Sequence, residues 1–417
     1  MKKVIRKIIA TVMCASMLGS VIPVDGNMYL DTVFAVENEF VIEDGVLKEY
    51  NGTKLIVNVP DGVTEIAASA FKCFGNSKKL CVEKVILPDS VEIIDDWAFY
   101  GCESTLTSVE MSPNIYYIGM GAFKGCKNLQ SVDLSDTKIE VVQERTFEGC
   151  SVLSEVLLPD TVKVIGEQAF YECEKLGRVS LNEGIEHIGV KAFDTCKGLN
   201  TIELPTTLTS LGDAAFANCL SLISIKIPAG VTEIPRYCFS GDYSMKSIYL
   251  PDTLEIINVS GIRTDNGYTS GAGGMKSIFI PESVKVMYEN SIDSGSLYGI
   301  SPIIEYKAFK DSTASKTLEN LKKNNGGDFA NTQFVEAQYD ANIYFDACGG
   351  KLEVSSKEGV VGQMFGGLPT PSLKGWAFKG WYADKEFEKE ITCLSIISKS
   401  EYTLYAKWEK EVTEDIE

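Results

Sequence analysis

Histidine is almost missing from this chain: His187 is the only one in 417 residues. A second imidazole for a metal cluster, or for a triad elsewhere, is therefore excluded. Basic charge is also short, with 39 Lys and Arg against 58 Asp and Glu and a net charge of −19. Nucleic acid and anionic membranes are poor partners for such a chain, because phosphate binding relies on clustered Lys and Arg. Proline is low at 13 residues while 45% of residues are hydrophobic, so a large core is affordable and disordered bulk is not indicated. Long apolar runs occur only at the start. Lys2, Lys3, Arg6 and Lys7 precede the apolar stretch Ile8–Ile22, and Val33-Phe34-Ala35 supplies tolerated residues at a cleavage site. This order reads as a secretory signal peptide over residues 1–35, with a retained anchor as the alternative. Cys14 lies in that stretch without a lipobox before it, and the closing EKEVTEDIE shows no wall-sorting motif. Without residues 1–35 the chain carries 35 basic and 56 acidic side chains. No later segment approaches 18 uninterrupted apolar residues, so no further membrane span is expected.

What the chain has is a repeat. Aligned on an apolar residue eight before a phenylalanine, copies begin at Val63, Val91, Ile115, Ile139, Val162, Ile185, Leu208 and Val231, at intervals of 28, 24, 24, 23, 23, 23 and 23 residues. Each approximates V-x-x-I-x-x-x-A-F-x-x-C-x-x-L-x-x-V-x-L-P. A ninth copy starts at Leu254 and carries a Gly-rich insertion at 261–274, and a degenerate tenth starts at Val284. A fixed period of this size marks a solenoid. L-x-x-V-x-L alternates as a short strand should, and the proline after it ends the strand. The first half spaces its apolar residues like one face of a short helical or 3₁₀ coil. No unit can bury that ring alone, so neighbours must stack, with their strands in one parallel sheet of an α/β-type solenoid.

These units resemble the BspA-like, or Treponema-type, leucine-rich repeats of bacterial surface proteins. Gly45-Val46-Leu47-x-x-Tyr50-x-Gly52 resembles that family's amino-terminal lead-in. The resemblance implies a curved leucine-rich-repeat arc and a role in adhesion to host or matrix proteins or to other bacteria. Residues 312–323 read as a short helix opened by a Ser or Thr cap and stopped at Asn324-Asn325-Gly326-Gly327, covering the open edge of the last repeat. A second module follows, with Phe345-Asp346-Ala347-Cys348-Gly349-Gly350, Gly375-Trp376-Ala377-Phe378-Lys379-Gly380-Trp381-Tyr382 and Thr403-Leu404-Tyr405-Ala406-Lys407-Trp408. It resembles the Listeria–Bacteroides repeat, the B-repeat of internalin-type proteins, which implies a small β-grasp-like domain. Cys348 stands where that family usually has Asn. Three of the four tryptophans are here, and a domain of this size needs such rings for its core. The expected organisation is signal peptide 1–35, lead-in 36–62, repeats 63–309, cap and linker 310–338, Listeria–Bacteroides module 339–410 and tail 411–417.

The chain offers little chemistry. Cys102, Cys126, Cys150, Cys173, Cys196 and Cys219 share position 12 of the unit, Cys73 falls one residue early, and Asp242 replaces cysteine in the eighth copy. A ladder in one apolar slot predicts buried free thiols. Spacings of 23 or 24 residues lack the close pairing of zinc sites. Disulfides between rungs are disfavoured because equivalent side chains point the same way. His187 occupies position 3, where other copies hold unrelated residues, so no pair with Cys196 is expected. Ser69-Ala70-Phe71-Lys72 matches S-x-x-K only formally, and Gly119-Met120-Gly121 misses dinucleotide spacing. No enzyme, metal or cofactor is expected.

Recognition should use side chains the core does not need. Between the two inward apolar positions of L-x-x-V-x-L stands an outward column: Ile86, Glu110, Asp133, Leu157, Ser180, Glu203, Lys226, Tyr249 and Phe279. A second column holds Lys84, Ser108, Ser131, Glu155, Arg178, Thr201, Ser224, Ser247 and Ser277. The predicted site is drawn from Tyr249, Phe279, Lys226, Glu203, Arg178, Glu155, Asp133 and Glu110. Its centre is Tyr249, Phe279 and the loop 261–274 as a protein-binding patch, or else rings that the loop folds over and keeps dry. The expected function is a secreted or cell-surface recognition protein with a protein partner. The alternatives are glycan binding through exposed aromatics and a structural spacer.

Overall fold

Each turn of the repeat makes two short strands and a corner. Glu155–Leu157 lies between Ser131–Asp133 and Arg178–Ser180 in parallel register, with Val156 opposite both Val132 and Val179. The V-x-x-I half makes a second parallel row, in which Val164–Ile165 lies between Val141–Val142 and His187–Ile188. About ten such turns stack into the expected leucine-rich-repeat solenoid with its parallel sheet. The computed structural model describes residues 39–71, 82–100, 102, 104–262, 275, 277–288, 305–324 and 333–410. The expected signal peptide, most of the 261–274 loop, Cys73 and the tail lie outside them.

The corner departs from the helical or 3₁₀ coil expected for the first half. The residue before the Ala-Phe pair adopts a left-handed backbone in turn after turn, with φ of 59° at Ser69 and Trp97, 58° at Arg145, 54° at Gln168 and 53° at Lys191. A right-handed helix cannot pass through such a residue. Its N–H reaches the next turn instead: Gln168 donates to the Val190 carbonyl at 2.9 Å and Lys191 to Asp213 at 2.9 Å. Phe170 likewise donates to Ala192 at 2.8 Å. Backbone groups that would bond within a helix thus bond between turns, and this holds the stack together.

Inside, the phenylalanines from Phe71 to Phe239 form a column of nearly parallel rings, 4.8 Å apart at closest (Phe99–Phe123) and 5.9 Å at the widest (Phe216–Phe239). Tyr50 extends it into the lead-in, 5.8 Å from Phe71. The lead-in is a hairpin of Phe40–Glu43 and Val46–Tyr50, turned at Asp44 and Gly45 with φ of 49° and 85°. Val46 and Leu47 then pair in parallel with Glu65 and Ile66, which starts the stack. Gly52 must lack a side chain, since a Cβ there would lie 2.3 Å from the Tyr50 hydroxyl.

The sheet continues past the repeats. Ser277–Ile280, Glu305–Ala308 and Gln333–Glu336 are parallel neighbours, and the helix Thr313–Asn324 crosses between the last two. Ser312 caps that helix by accepting the Ser315 N–H at 3.1 Å. Ala314 and Leu318 join the solenoid core.

The C-terminal module has its own core, centred on Ile343, Phe345, Phe365, Trp381, Tyr402 and Leu404. Its sheet runs in the order Ser356–Gly359, Ala341–Asp346, Glu401–Lys410, Trp376–Tyr382, Glu390–Ile391, with the central pair parallel and the rest antiparallel. No helix occurs among its described residues. Cys348 sits at φ 48°, a conformation that asparagine tolerates well, and its N–H is held by Asp346 at 2.9 Å. Of the three tryptophans expected in this core, Trp381 is buried at 2% exposure, whereas Trp376 stands 41% exposed at the start of its strand.

Candidate recognition surface

The cysteine ladder carries no reactive chemistry. Cys150, Cys173 and Cys196 are buried and free, and their thiols donate to the carbonyls of Phe123, Phe147 and Phe170 at 3.1, 3.1 and 3.2 Å. Burial in the apolar stack pushes these thiols well above their ordinary pKa, so they stay protonated at neutral pH. His187 is exposed on the other strand row, and its Nδ1 lies 2.8 Å from the Ser210 hydroxyl. The two residues belong to different faces. No group of three or more metal-ligating side chains occurs among the described residues.

The outward columns lie where the spacing predicts. Glu155 pairs with Ser131 and Arg178 in the ladder, Leu157 with Asp133 and Ser180, and Lys226 with Tyr249. Val109, Val132, Val156, Val179, Ile202 and Ile225, the residues between the columns, are buried at no more than 8% exposure. Glu110, Asp133, Arg178 and Glu203 are exposed, and Glu155, Lys226 and Tyr249 half-buried. Three of these charges are paired, Glu110 with Lys84 and Glu155 with Arg178 at 3.2 Å. Glu203 and Lys226 form no ion pair among the described residues. They line a groove of about 420 Å³ with Leu181, Glu183 and Thr201, closed on one side by Thr392, Leu394 and Ser395 of the module. The ladder is open at this point: Thr201 makes a single bridge to Ser224, and Arg178–Ser180 is an edge strand, paired with Glu155–Leu157 on one side only.

Phe279 corrects the expected aromatic patch. It points outward in the register of its column but is only 9% exposed. Phe309 meets it edge-on at 5.9 Å, and Tyr339 packs on Phe309 at 4.5 Å. Residues 357–365 of the module close the remaining side, leaving a cavity of about 340 Å³. The ring is kept dry by chain that follows the repeats. Of the proposed cover, loop residues 263–274 lie outside the described residues. Tyr249 remains half-buried on the strand Ser247–Tyr249.

Two residues missed in the sequence set the module's seat. Asp252, exposed after Pro251, accepts from the Lys357 ammonium and from the Gly367 N–H, each at 3.2 Å. Lys357 also donates to the Phe365 and Gly367 carbonyls at 2.7 and 3.1 Å. Gly366 has φ 66°, and a Cβ there would lie 2.6 Å from the Asp252 carboxylate. Nothing local singles out Asp252, because the same Pro-Asp pair occurs at Pro88-Asp89 and Pro159-Asp160.

The BspA type leucine rich repeat region matches residues 72–194 and 163–296 in six copies, and the Listeria–Bacteroides repeat domain matches residues 342–407. No enzymatic family is indicated. No curated protein matches the chain. Among solved structures, a leucine-rich repeat protein from Bacteroides ovatus is 24% identical, with 67% of this chain and 63% of that one covered and a TM-score of 0.46. One from Eubacterium ventriosum is 25% identical over 43% of this chain and 49% of that one, at a TM-score of 0.38. A leucine rich cell surface protein from Faecalibacterium prausnitzii is 22% identical over 66% and 94%, at 0.31. The chain thus spans less than two thirds of the length of the first two.

Proposed function

The chain belongs to the BspA-type leucine rich repeat family, and from that premise we propose that it is a secreted or surface-displayed recognition protein that holds a protein partner against the outward columns of its long-strand sheet. One observation carries this reading. Charged residues stand outward turn after turn, from Glu110 and Asp133 through Glu155, Arg178 and Glu203 to Lys226, while the apolar residue between the columns is buried in every turn. The core does not need these charges, and scattered surface charge would not fall into register. The acidic end at Glu110, Asp133 and Glu155 favours a basic protein surface, and the groove at Glu203 and Lys226 adds a place where side chains can insert. The basic, apolar and small residues of the first 35 positions support export. No helix among the described residues is long and apolar enough to cross a membrane. Adhesion to host, matrix or bacterial surface proteins is the role this suggests.

The test is binding of the immobilised mature chain to purified extracellular-matrix and bacterial surface proteins. Reversal of Glu110, Asp133 and Glu155 to Lys should weaken a bound partner by on the order of tenfold or more and move the melting temperature by no more than a few degrees. A partner that binds this triple variant as well as the parent would overturn the reading.

A further inference from the structure

Trp376 is not spent on the module's core, and its surroundings point to a ligand. We propose that the groove it lines is a binding site for an anionic saccharide, separate from the outward columns of the solenoid.

The groove measures about 690 Å³, within the range of about 300–1,000 Å³ usual for small-ligand sites. Trp376, Phe378 and Trp408 supply its aromatic wall, with Ser372, Lys351 and Lys374 around them. The wall is fixed before any ligand arrives. Trp408 donates its indole N–H to the Ala347 carbonyl at 2.9 Å, and Phe378 meets it edge-on at 5.7 Å. A Cβ at Gly350 would fall 2.5 Å from the Trp408 ring, so the absence of a side chain there lets the ring occupy its place. Trp376 is held by ladder pairing with Lys410 and by its N–H to the Leu373 carbonyl at 3.1 Å. A rigid backbone thus presents an indole that is 41% exposed.

The charge of the groove sets the class of ligand. Lys351 and Lys374 line it and no carboxylate does, in a chain of net charge −19. Neither lysine forms an ion pair among the described residues. The π-face of an indole is electron-rich and attracts the weakly positive C–H groups on the flat face of a pyranose. Two lysines lining the same groove then suit a carboxylate or sulfate on the same sugar. A neutral sugar would leave both lysines without a partner.

The experiment is tryptophan fluorescence titration of the full mature chain with an oligogalacturonate and a heparin-derived oligosaccharide, and with cellohexaose as the neutral control. The two anionic probes separate carboxylate from sulfate recognition. Binding of either anionic probe, weakened about tenfold or more by Trp376→Ala and by Lys351→Glu/Lys374→Glu and largely kept by Trp376→Phe, is the expected result. Trp381 and Trp408 keep a signal in the Trp376 variants, and unchanged thermal melting shows that the fold is intact. Failure of both anionic probes to bind in the low millimolar range, equal binding of cellohexaose, or binding unaffected by Trp376→Ala would each overturn the proposal.

Discussion

The solenoid and the module bury aromatic rings in opposite ways. In the solenoid each of the first eight turns contributes one phenylalanine to a column of almost parallel faces, as between Phe193 and Phe216 at 5.3 Å and 3°. In the module Phe378 meets Trp381 at 65° and Trp408 at 62°, and Phe365 meets Tyr402 at 79°. The first arrangement repeats one contact between identical neighbours, and the second joins different residues once each. The regions differ in charge too, with 41 acidic and 26 basic residues over 39–338 against 10 and 9 over 339–410. A stack of turns can tolerate a charged exterior because its stability comes from near-identical interfaces between neighbours. A small domain depends instead on a few large rings.

The largest expected effect tests that contrast directly. Phe170→Ala in the middle of the column should cost about 3–5 kcal/mol and split denaturant unfolding into two steps, because it weakens one interface of a one-dimensional array. Trp381→Ala should cost a similar amount and release only the module. Hydrogen exchange resolved along the chain would show loss of protection within residues 341–406, and equal loss in the solenoid would break the distinction.

Asp242 gives the next effect. It occupies the cysteine slot, fully buried, with Oδ1 accepting the Cys219 N–H at 2.8 Å and Oδ2 without a hydrogen-bond partner among the described residues. Burial holds its carboxyl well above the ordinary value of 3.8. The folded state therefore binds a proton that the unfolded state has already released above that pH. Its contribution to stability is fully present below pH 3.8 and is lost as pH rises towards the folded-state value, by up to about 1.4 kcal/mol per pH unit. Asp242→Cys should raise stability at pH 7 by about 1–3 kcal/mol and flatten that slope, as urea unfolding at pH 5 and pH 8 would report. A variant with the parent's slope would clear Asp242 of responsibility for it.

A smaller effect lies at the seat between the regions. Gly366→Ala forces a Cβ against Asp252 at a left-handed backbone, which should cost about 1–2 kcal/mol. Faster proteolysis across residues 337–340, with both cores still folded, is the expected sign. Smallest of all, Glu110→Lys/Asp133→Lys should shift solenoid stability by no more than about 0.5 kcal/mol per site. A larger loss would mean that these charges belong to the fold and are not free for a partner.

The solenoid was legible because its signals are periodic. Val156, Phe170, Cys173 and Leu176 recur at one spacing, so their burial and the outward facing of Glu155 and Glu203 follow from the unit. The left-handed corner was not legible. Its position holds Ser69, Trp97, Gly121, Arg145, Gln168, Lys191, Ala214 and Tyr237 in successive turns. Hydrogen bonds to the next turn impose that conformation, and they leave no preferred residue type behind. The cover on Phe279 was not legible for a related reason: Phe309 and Tyr339, which pack over it, lie 30 and 60 residues further on. Within the module, composition announced an aromatic core without saying which tryptophan would stay outside.

The sequence by itself determined the stacking unit, the parallel sheet, the buried thiols and the two outward columns, because each depends on contacts between equivalent residues one period apart. The tertiary structure decided which parts of those columns are open. Asp252 and Lys357 hold the module against the solenoid, Thr392–Ser395 wall the groove at Glu203, and Trp376 is left facing solvent. These outcomes rest on single contacts between residues far apart in the chain, and a contact made only once has no period by which to read it.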